Sequence, residues 1–245
     1  MDIRHYQTLY ETEKYHWWYA ARRLIVRNLI LKYHPNAADR KIKLLDVGCG
    51  TGELLRELEP LAEIFGIDSS PQAVSFCKER ELKNISVAEA TKVPFPDNTF
   101  DAVLCLDVLE HIKDDGAALR EIIRVTKSGG TVIVFVPTFK FLWGTSDDVS
   151  HHLRRYRLGD LRKKMSRNGF EIVRSSYFNF FLFLPILAVR SLVRLFKIPV
   201  KSENETGKGS VNAILSKIFG LETNFLKRMN FPFGVSGLVV SRKPD

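Results

Sequence analysis

The chain has only three cysteines in 245 residues, Cys49, Cys77 and Cys105, and no short paired spacing among them. That argues against a disulfide framework or a zinc knuckle and fits a reducing compartment. The first five residues lack the apolar core of a signal peptide. No stretch reaches about 18 uninterrupted apolar residues, so an ordinary transmembrane helix is not expected. Together these absences predict a cytoplasmic protein. Acidic residues are scarce in one region. Between residues 151 and 201 stand twelve Lys/Arg against Asp160 and Glu171 alone. That window carries +10 in a chain whose total is +9, so the remainder sits at −1. A field so placed fits an anionic membrane, an anionic substrate or nucleic acid, unless it is simply a solvated helix face.

What is present is enough for a packed domain. Hydrophobic residues make up 45% of the chain and charged residues 27%, which excludes wholesale disorder and low-complexity fibres. Short apolar runs at 42–47, 64–67, 85–87, 102–106 and 131–136 alternate with helical stretches at 52–61, 71–81 and 116–126. A first helix is expected over 14–32, and Ser128-Gly129-Gly130 is read as the stop of the third helical stretch. A helix over 158–168 and strands over 170–176 and 235–242 complete the pattern. Strands alternating with helices predict βαβ units and a parallel sheet covered on both faces. Residues 202–210 (SENETGKGS) read as a linker.

Directly after the first apolar run come Gly48, Gly50 and Gly52, in Asp46-Val47-Gly48-Cys49-Gly50-Thr51-Gly52. Glycine there lets a ligand approach the main chain without a Cβ in the way. The spacing is G-x-G-x-G, not the dinucleotide G-x-G-x-x-G, and the Gly-Lys-Ser/Thr of a P-loop is absent. Asp68 follows Gly48 by twenty residues at the end of the second run, where a carboxylate can accept from both hydroxyls of a ribose. A nucleoside against the loop is the expectation.

The ordered series LLDVGCGTG, GIDSS, VPFPDNTFDAVLCLDVLEH and TKSGGTVIVFVP resembles the class I S-adenosylmethionine-dependent methyltransferases of the type 11 kind. The resemblance covers about residues 41–178. It implies a doubly wound, Rossmann-like α/β sheet of seven strands, mostly parallel with the last strand antiparallel, and an apolar and basic helical insertion before that strand. It implies S-adenosylmethionine as cofactor. By matching position, Asp46, Gly48, Gly50 and Gly52 line its methionine part and Asp68 holds the ribose. Glu89, with Ala90, stands where the family's acid meets the adenine edge, and Leu106 and Asp107 face the cofactor. The organisation read from this is a helical cap over 1–40, a core over 41–178, an insertion over 179–234 and a final strand over 235–245.

Two flanking signatures add to the core. In HWWYAARR (16–23), Arg22 is placed to pair with the cofactor carboxylate, with a plain amphipathic helix as the other reading. His152, Arg154, Arg155 and Tyr156 form H-x-R-R-Y. Together with Pro232-Phe233-Gly234-Val235-Ser236 these resemble a subgroup associated with cell-surface glycan and lipid-linked sugar pathways. Arg154, Arg155 and Tyr156 are expected to meet the acceptor. Methyl transfer from a sulfonium needs an aligned acceptor and, for a hydroxyl, a base. The candidates are His111 and His152, each of which also reads as a packing or capping residue. Asp107, Glu110 and His111 resemble the metal-binding E-x-x-E-H run of ubiquinone-pathway O-methyltransferases, but aspartate replaces the first glutamate and no metal is expected.

Residues 177–196 carry ten consecutive apolar residues, 180–189, after which Arg190, Arg194, Lys197 and Lys201 recur at spacings of four, three and four. This pattern reads as an interfacial helix with one cationic stripe, as an acceptor lid, or as a homodimer face. The expected activity is methylation of a hydroxyl on a small or lipid-linked acceptor such as a glycan or isoprenoid carrier, on the inner face of the membrane. The alternatives are a nucleic-acid methyltransferase, disfavoured because no Asn/Asp-Pro-Pro-aromatic run is present, and a non-catalytic cofactor-binding regulator.

Overall fold

The structure is a computed structural model that describes residues 3–196 and 209–245. Strands β1 (Ile42–Val47), β2 (Ala62–Asp68), β3 (Ile85–Val87), β4 (Phe100–Leu106), β5 (Thr126–Pro137), β6 (Glu171–Phe178) and β7 (Ser236–Arg242) form one sheet. Its order is β3-β2-β1-β4-β5-β7-β6, and β7 alone runs antiparallel, hydrogen-bonded to β5 on one side and β6 on the other. The seven-stranded mixed sheet is the expected one. Alternate residues explain why both faces are covered. Leu44, Leu104, Phe135 and Leu238 enter one core, and Leu45, Val103, Val134 and Val239 enter the other.

Local chemistry sets the helix starts. Ser70 caps α4 (Pro71–Glu79), with proline in the first turn. Asp114 caps α5 (Asp115–Val125) through the Ala117 N–H. The N-terminal region is two helices, not the single one expected: α1 (Ile3–Thr12) and α2 (Trp17–Tyr33), separated where His16 caps the Trp18 N–H. The Ser128-Gly129-Gly130 run lies inside β5, so it does not stop α5. Gly129 takes φ 71°, and a Cβ on Gly130 would sit 2.7 Å from the Lys127 carbonyl oxygen. The glycines therefore absorb an irregularity in the strand.

Beyond β5 come the short helix α6 (Thr145–Val149), α7 (Leu158–Arg167) on the second face and, among the described residues, two helices between β6 and β7. These are α8 (Phe183–Leu195) and α9 (Gly209–Leu226). α9 packs on α2 through an aromatic cluster: Phe219 stands 5.8 Å from Trp17, 5.6 Å from Trp18 and 6.3 Å from Phe178 between ring centroids. Trp17 is thus core. Gly209 and Ser210 begin α9, and the rest of the expected linker lies outside the described residues.

The expected cationic stripe is not presented as a stripe. Arg190 donates to the Leu142 carbonyl, and Arg194 to those of Trp143 at 2.8 Å and Phe141 at 3.3 Å. Both guanidiniums fasten α8 to the loop after β5: residues 190 and 194 stand about one turn apart on the helix and reach the neighbouring carbonyls of residues 141–143. Lys197 and Lys201 lie outside the described residues. Among the described residues no helix is long and apolar enough to cross a membrane.

Candidate active site

A cavity of about 540 Å³ opens at the carboxyl ends of β1, β2 and β4, the crevice where open α/β sheets bind ligands. Its first wall is built almost entirely from consecutive residues. The chain leaving β1 turns across β2, so that Gly48 and Cys49 N–H both donate to the Ile67 carbonyl, at 2.7 and 3.0 Å. Asp68, at the end of β2, takes the Gly50 N–H on one oxygen (3.0 Å) and the Ser70 N–H on the other (2.9 Å). These two bonds aim the carboxylate into the cavity and leave lone pairs on each oxygen. Burial nonetheless raises its pKa.

Of the residues expected to hold the cofactor, Arg22, Asp46, Gly48, Gly50, Asp68, Glu89, Ala90, Leu106 and Asp107 line this cavity. Gly52 does not. It caps α3 (Glu53–Leu58) with φ 86°, and a Cβ there would meet Leu82 at 2.5 Å and the Cys77 sulfur at 2.9 Å. Its glycine is required by helix packing rather than by a ligand. Arg22 ion-pairs with Asp107 and lies 5.6 Å from the Trp18 ring centroid. Asp107 has φ 56°, a left-handed conformation unusual for aspartate outside turns and functional loops.

The cavity floor is short of counter-charge. Asp46 is buried, its Oδ1 has no hydrogen-bond partner, and desolvation pushes its pKa up to about 8. Glu110 is fully buried, neither of its oxygens accepts a hydrogen bond from another residue, and burial drives its pKa well above normal. Unpaired buried carboxyls are costly and persist where a cationic ligand compensates them. A donor bearing a sulfonium and an ammonium group suits this floor.

The second wall comes from segments far apart in the chain. His111 ends the turn after β4, and burial together with His152 lowers its pKa to about 4. His152 follows α6, with its ring centroid 4.7 Å from that of His111. Behind it stands Asp147, fully buried. Asp147 meets His152 Nδ1 at 2.8 Å, Arg155 Nε at 2.7 Å and the Gly144 N–H at 2.8 Å. Burial works against ionisation of Asp147, but the His152 and Arg155 bonds prevail and hold the carboxyl well below the usual range. An ionised Asp147 makes Nδ1 the donor, so Nε2 carries the lone pair on the far side of the ring.

The H-x-R-R-Y segment divides by side. His152 and Arg155 face the cavity, but Arg154 and Tyr156 do not. Arg154 reaches the Lys113 carbonyl at 3.1 Å and Asp115 at 3.3 Å, and the buried Tyr156 hydroxyl donates to Asp115 at 2.8 Å. They brace α5 and the turn after β4. Even Arg155, paired to Asp147 and the Thr138 carbonyl, is scaffold.

Three lining residues, Tyr6, Leu9 and Glu13, come from α1 and the turn after it, and were not foreseen. Glu13 accepts from the Thr51 hydroxyl and from Arg80 (2.9 Å), which also pairs with Glu53. This network ties the N-terminal helix over the glycine loop. Ile3, Tyr6, Leu9 and Tyr10 recur at helical spacing and mark the helix, but the groups that anchor it to the loop are polar and carry no periodic signal.

The family described as methyltransferase domain matches residues 45–134. An uncharacterised protein of Methanocaldococcus jannaschii is 34% identical over 200 residues, which cover 81% of each chain. A demethylmenaquinone methyltransferase of Geobacillus is 38% identical over 101 residues, 37% of this chain and 43% of that protein. The chain spans about two fifths of the length of the first curated relatives it matches. The Haemonchus contortus phosphoethanolamine N-methyltransferase 2, solved with S-adenosylmethionine, shares the fold at TM-score 0.55 and 22% identity, over 89% of this chain and 52% of that one. The glycine loop, the cavity-facing Asp68, the sheet order and these similarities agree, and residues 45–134 form a methyltransferase domain of the class I, S-adenosylmethionine-dependent kind.

Proposed function

We propose that this protein methylates a hydroxyl of an amphiphilic acceptor, such as a lipid-linked glycan or isoprenoid, at the inner face of the membrane. The observation that carries the reading is the Asp147–His152 pair, which presents Nε2 to a cavity shared with the glycine loop. S-adenosylmethionine, when bound, supplies an electrophilic methyl group on a sulfonium centre. Asp68 holds the ribose, Glu89 stands by the adenine edge, and the Asp46 floor compensates the positive charge. Asp147 keeps His152 in one tautomer and one orientation, so the imidazole can take the hydroxyl proton. α1 and α2 cover the cavity and limit water.

The amphiphilic acceptor is supported by the surface beside the cavity. α8 contributes Arg190 and Ile186 to the lining, while Leu184, Leu192 and Leu195 on the same helix are 66%, 51% and 73% exposed. α9 adds exposed Val211, Ile214 and Leu221. A set of exposed leucines on helices beside a pocket fits acyl or polyprenyl chains. The same geometry weakens the nucleic-acid reading, since Arg155, Lys164, Arg174, Arg190 and Arg194 are spent on internal partners.

The test is incubation with methyl-tritiated S-adenosylmethionine and, in parallel, bacterial or archaeal lipid extract, soluble sugars and total RNA. Label in the lipid fraction is the expected result. Label confined to RNA or to soluble acceptors overturns the amphiphile. Cofactor binding with label in no fraction favours the regulator.

A further inference from the structure

Three side chains at the acceptor edge have a property that proton transfer alone does not use. Glu110, His111 and His152 each bring one donor atom to within 4.8 Å of the other two. The closest approach of His152 Nε2 to a Glu110 oxygen is 4.0 Å, too long for a hydrogen bond. Glu110 is the unusual member: it is fully buried, turned to the cavity, and without a hydrogen bond from any other residue. Its near neighbour Asp107 is of like charge and is already paired with Arg22. Leaving such a group unanswered costs several kcal/mol unless something positive stands against it.

The chemistry of the three identifies that something. Two imidazoles and one carboxylate are the donor set of divalent first-row transition ions, and they leave coordination positions for solvent or substrate. Imidazole disfavours magnesium and calcium, which prefer oxygen throughout. The outer shell is also in place. A metal-bound histidine characteristically donates its other N–H to a carboxylate, and His152 does this to Asp147 at 2.8 Å. Donor atoms about 2.1 Å from one ion lie about 3.0–3.5 Å apart, so the three would draw in by about 1 Å on loading.

We propose that Glu110, His111 and His152 hold a divalent transition-metal ion, zinc-like in preference, with an open position on the cavity side for the acceptor hydroxyl. The proposal rests on the methyltransferase reading and differs from the sequence expectation of no metal. With the ion in place, His152 Nε2 is a ligand. The coordinated hydroxyl is then acidified by the ion and loses its proton to water at the cavity mouth. Without the ion, His152 takes that proton itself.

The experiment is titration of the chelator-stripped full chain with cobalt(II), followed by its visible absorption, and with zinc, manganese and magnesium by calorimetry. One ion per chain, a preference for zinc over magnesium, and tetrahedral or five-coordinate cobalt bands are expected. Glu110→Gln and His111→Ala should each weaken zinc binding at least about tenfold, and Asp147→Asn about 10- to 100-fold. His34→Ala, before β1 at the opposite end of the sheet, should leave binding unchanged. Melting curves and S-adenosylmethionine binding establish that each variant is folded. No stoichiometric binding by the folded wild type, or binding undiminished in Glu110→Gln, overturns the ion. Methyl transfer no slower in chelator than in the metal-loaded protein also overturns the ion's part in the reaction but keeps the methyltransferase. An ion bound without methyl transfer to any acceptor keeps the site and removes the enzyme reading.

Discussion

Asp46 and Asp147 stand on opposite sides of one cavity, equally hidden from water, and differ in company. Asp147 receives an imidazole, a guanidinium and a backbone N–H, and its pKa falls. Asp46 has an oxygen with no partner, and its pKa rises to about 8. Burial opposes ionisation at both sites, so the partners decide the sign. The paired carboxyl is scaffold, finished before any ligand arrives. The unpaired one is part of a surface completed by a cation. Each wall of the cavity follows its carboxyl: the glycine side is backbone waiting for a ligand, and the histidine side is a pre-assembled side-chain network.

The sharpest way to break this comparison is Asp147→Asn. If Asp147 orients His152, the amide lets the ring adopt the other tautomer, and turnover should fall about 10²- to 10⁴-fold with cofactor affinity nearly unchanged. Steady-state kinetics with calorimetric cofactor titration checks it. Equal losses of affinity and turnover would make Asp147 part of the cofactor wall instead.

A smaller effect is expected from Asp46→Asn. The folded carboxyl keeps its proton up to about pH 8, whereas the unfolded one loses it near pH 4. The unfolded state therefore binds fewer protons between those values, and the ligand-free protein loses stability as pH rises through that window. Removing the group should flatten this limb, raising Tm by about 2–6 °C at pH 8 with little change at pH 4. Cofactor affinity should fall. Asp147, with its depressed pKa, acts in the opposite direction: its contribution is present above the unfolded value and lost as the solution is acidified. A scan of Tm against pH for both variants reads the two signs together.

The least disruptive test concerns the outer surface. Leu192→Gln with Leu195→Gln should change stability by about 0.5 kcal/mol or less, since both side chains are exposed. Sedimentation with phospholipid vesicles should nonetheless fall if α8 meets lipid. Arg190 and Arg194 are the wrong positions for that test, because replacing them unfastens α8 from the loop at 141–143.

The legible part of the site is the part made by neighbours in the chain. Gly48, Gly50, Asp68 and the strands that carry them could be read because the loop, the acid and their spacing lie within one βαβ unit. His111 and His152 were readable as residue types at the right sheet edge. Asp147 was not, since nothing in DDVSHH tells which of its acids turns inward. Gly52, Arg154 and Tyr156 carry motif positions but serve packing, and only their neighbours Leu82, Cys77 and Asp115 show it. The anchoring of α1 escaped notice because Glu13 makes it through Thr51 and Arg80, contacts between segments about 40 and 70 residues apart.

The amino-acid sequence by itself determined the alternation of strands and helices, the both-sided burial of the sheet, the glycine loop with its cavity-facing acid, and hence the family. These depend on local conformational preference and on periodicity, which act over a few residues. Tertiary structure alone decided which carboxyls are answered and which are left open, which arginines face solvent, and that Glu110, His111 and His152 converge. Those outcomes depend on distances between segments remote in the chain, where a shift of a few ångströms turns a buried charge from satisfied to unsatisfied.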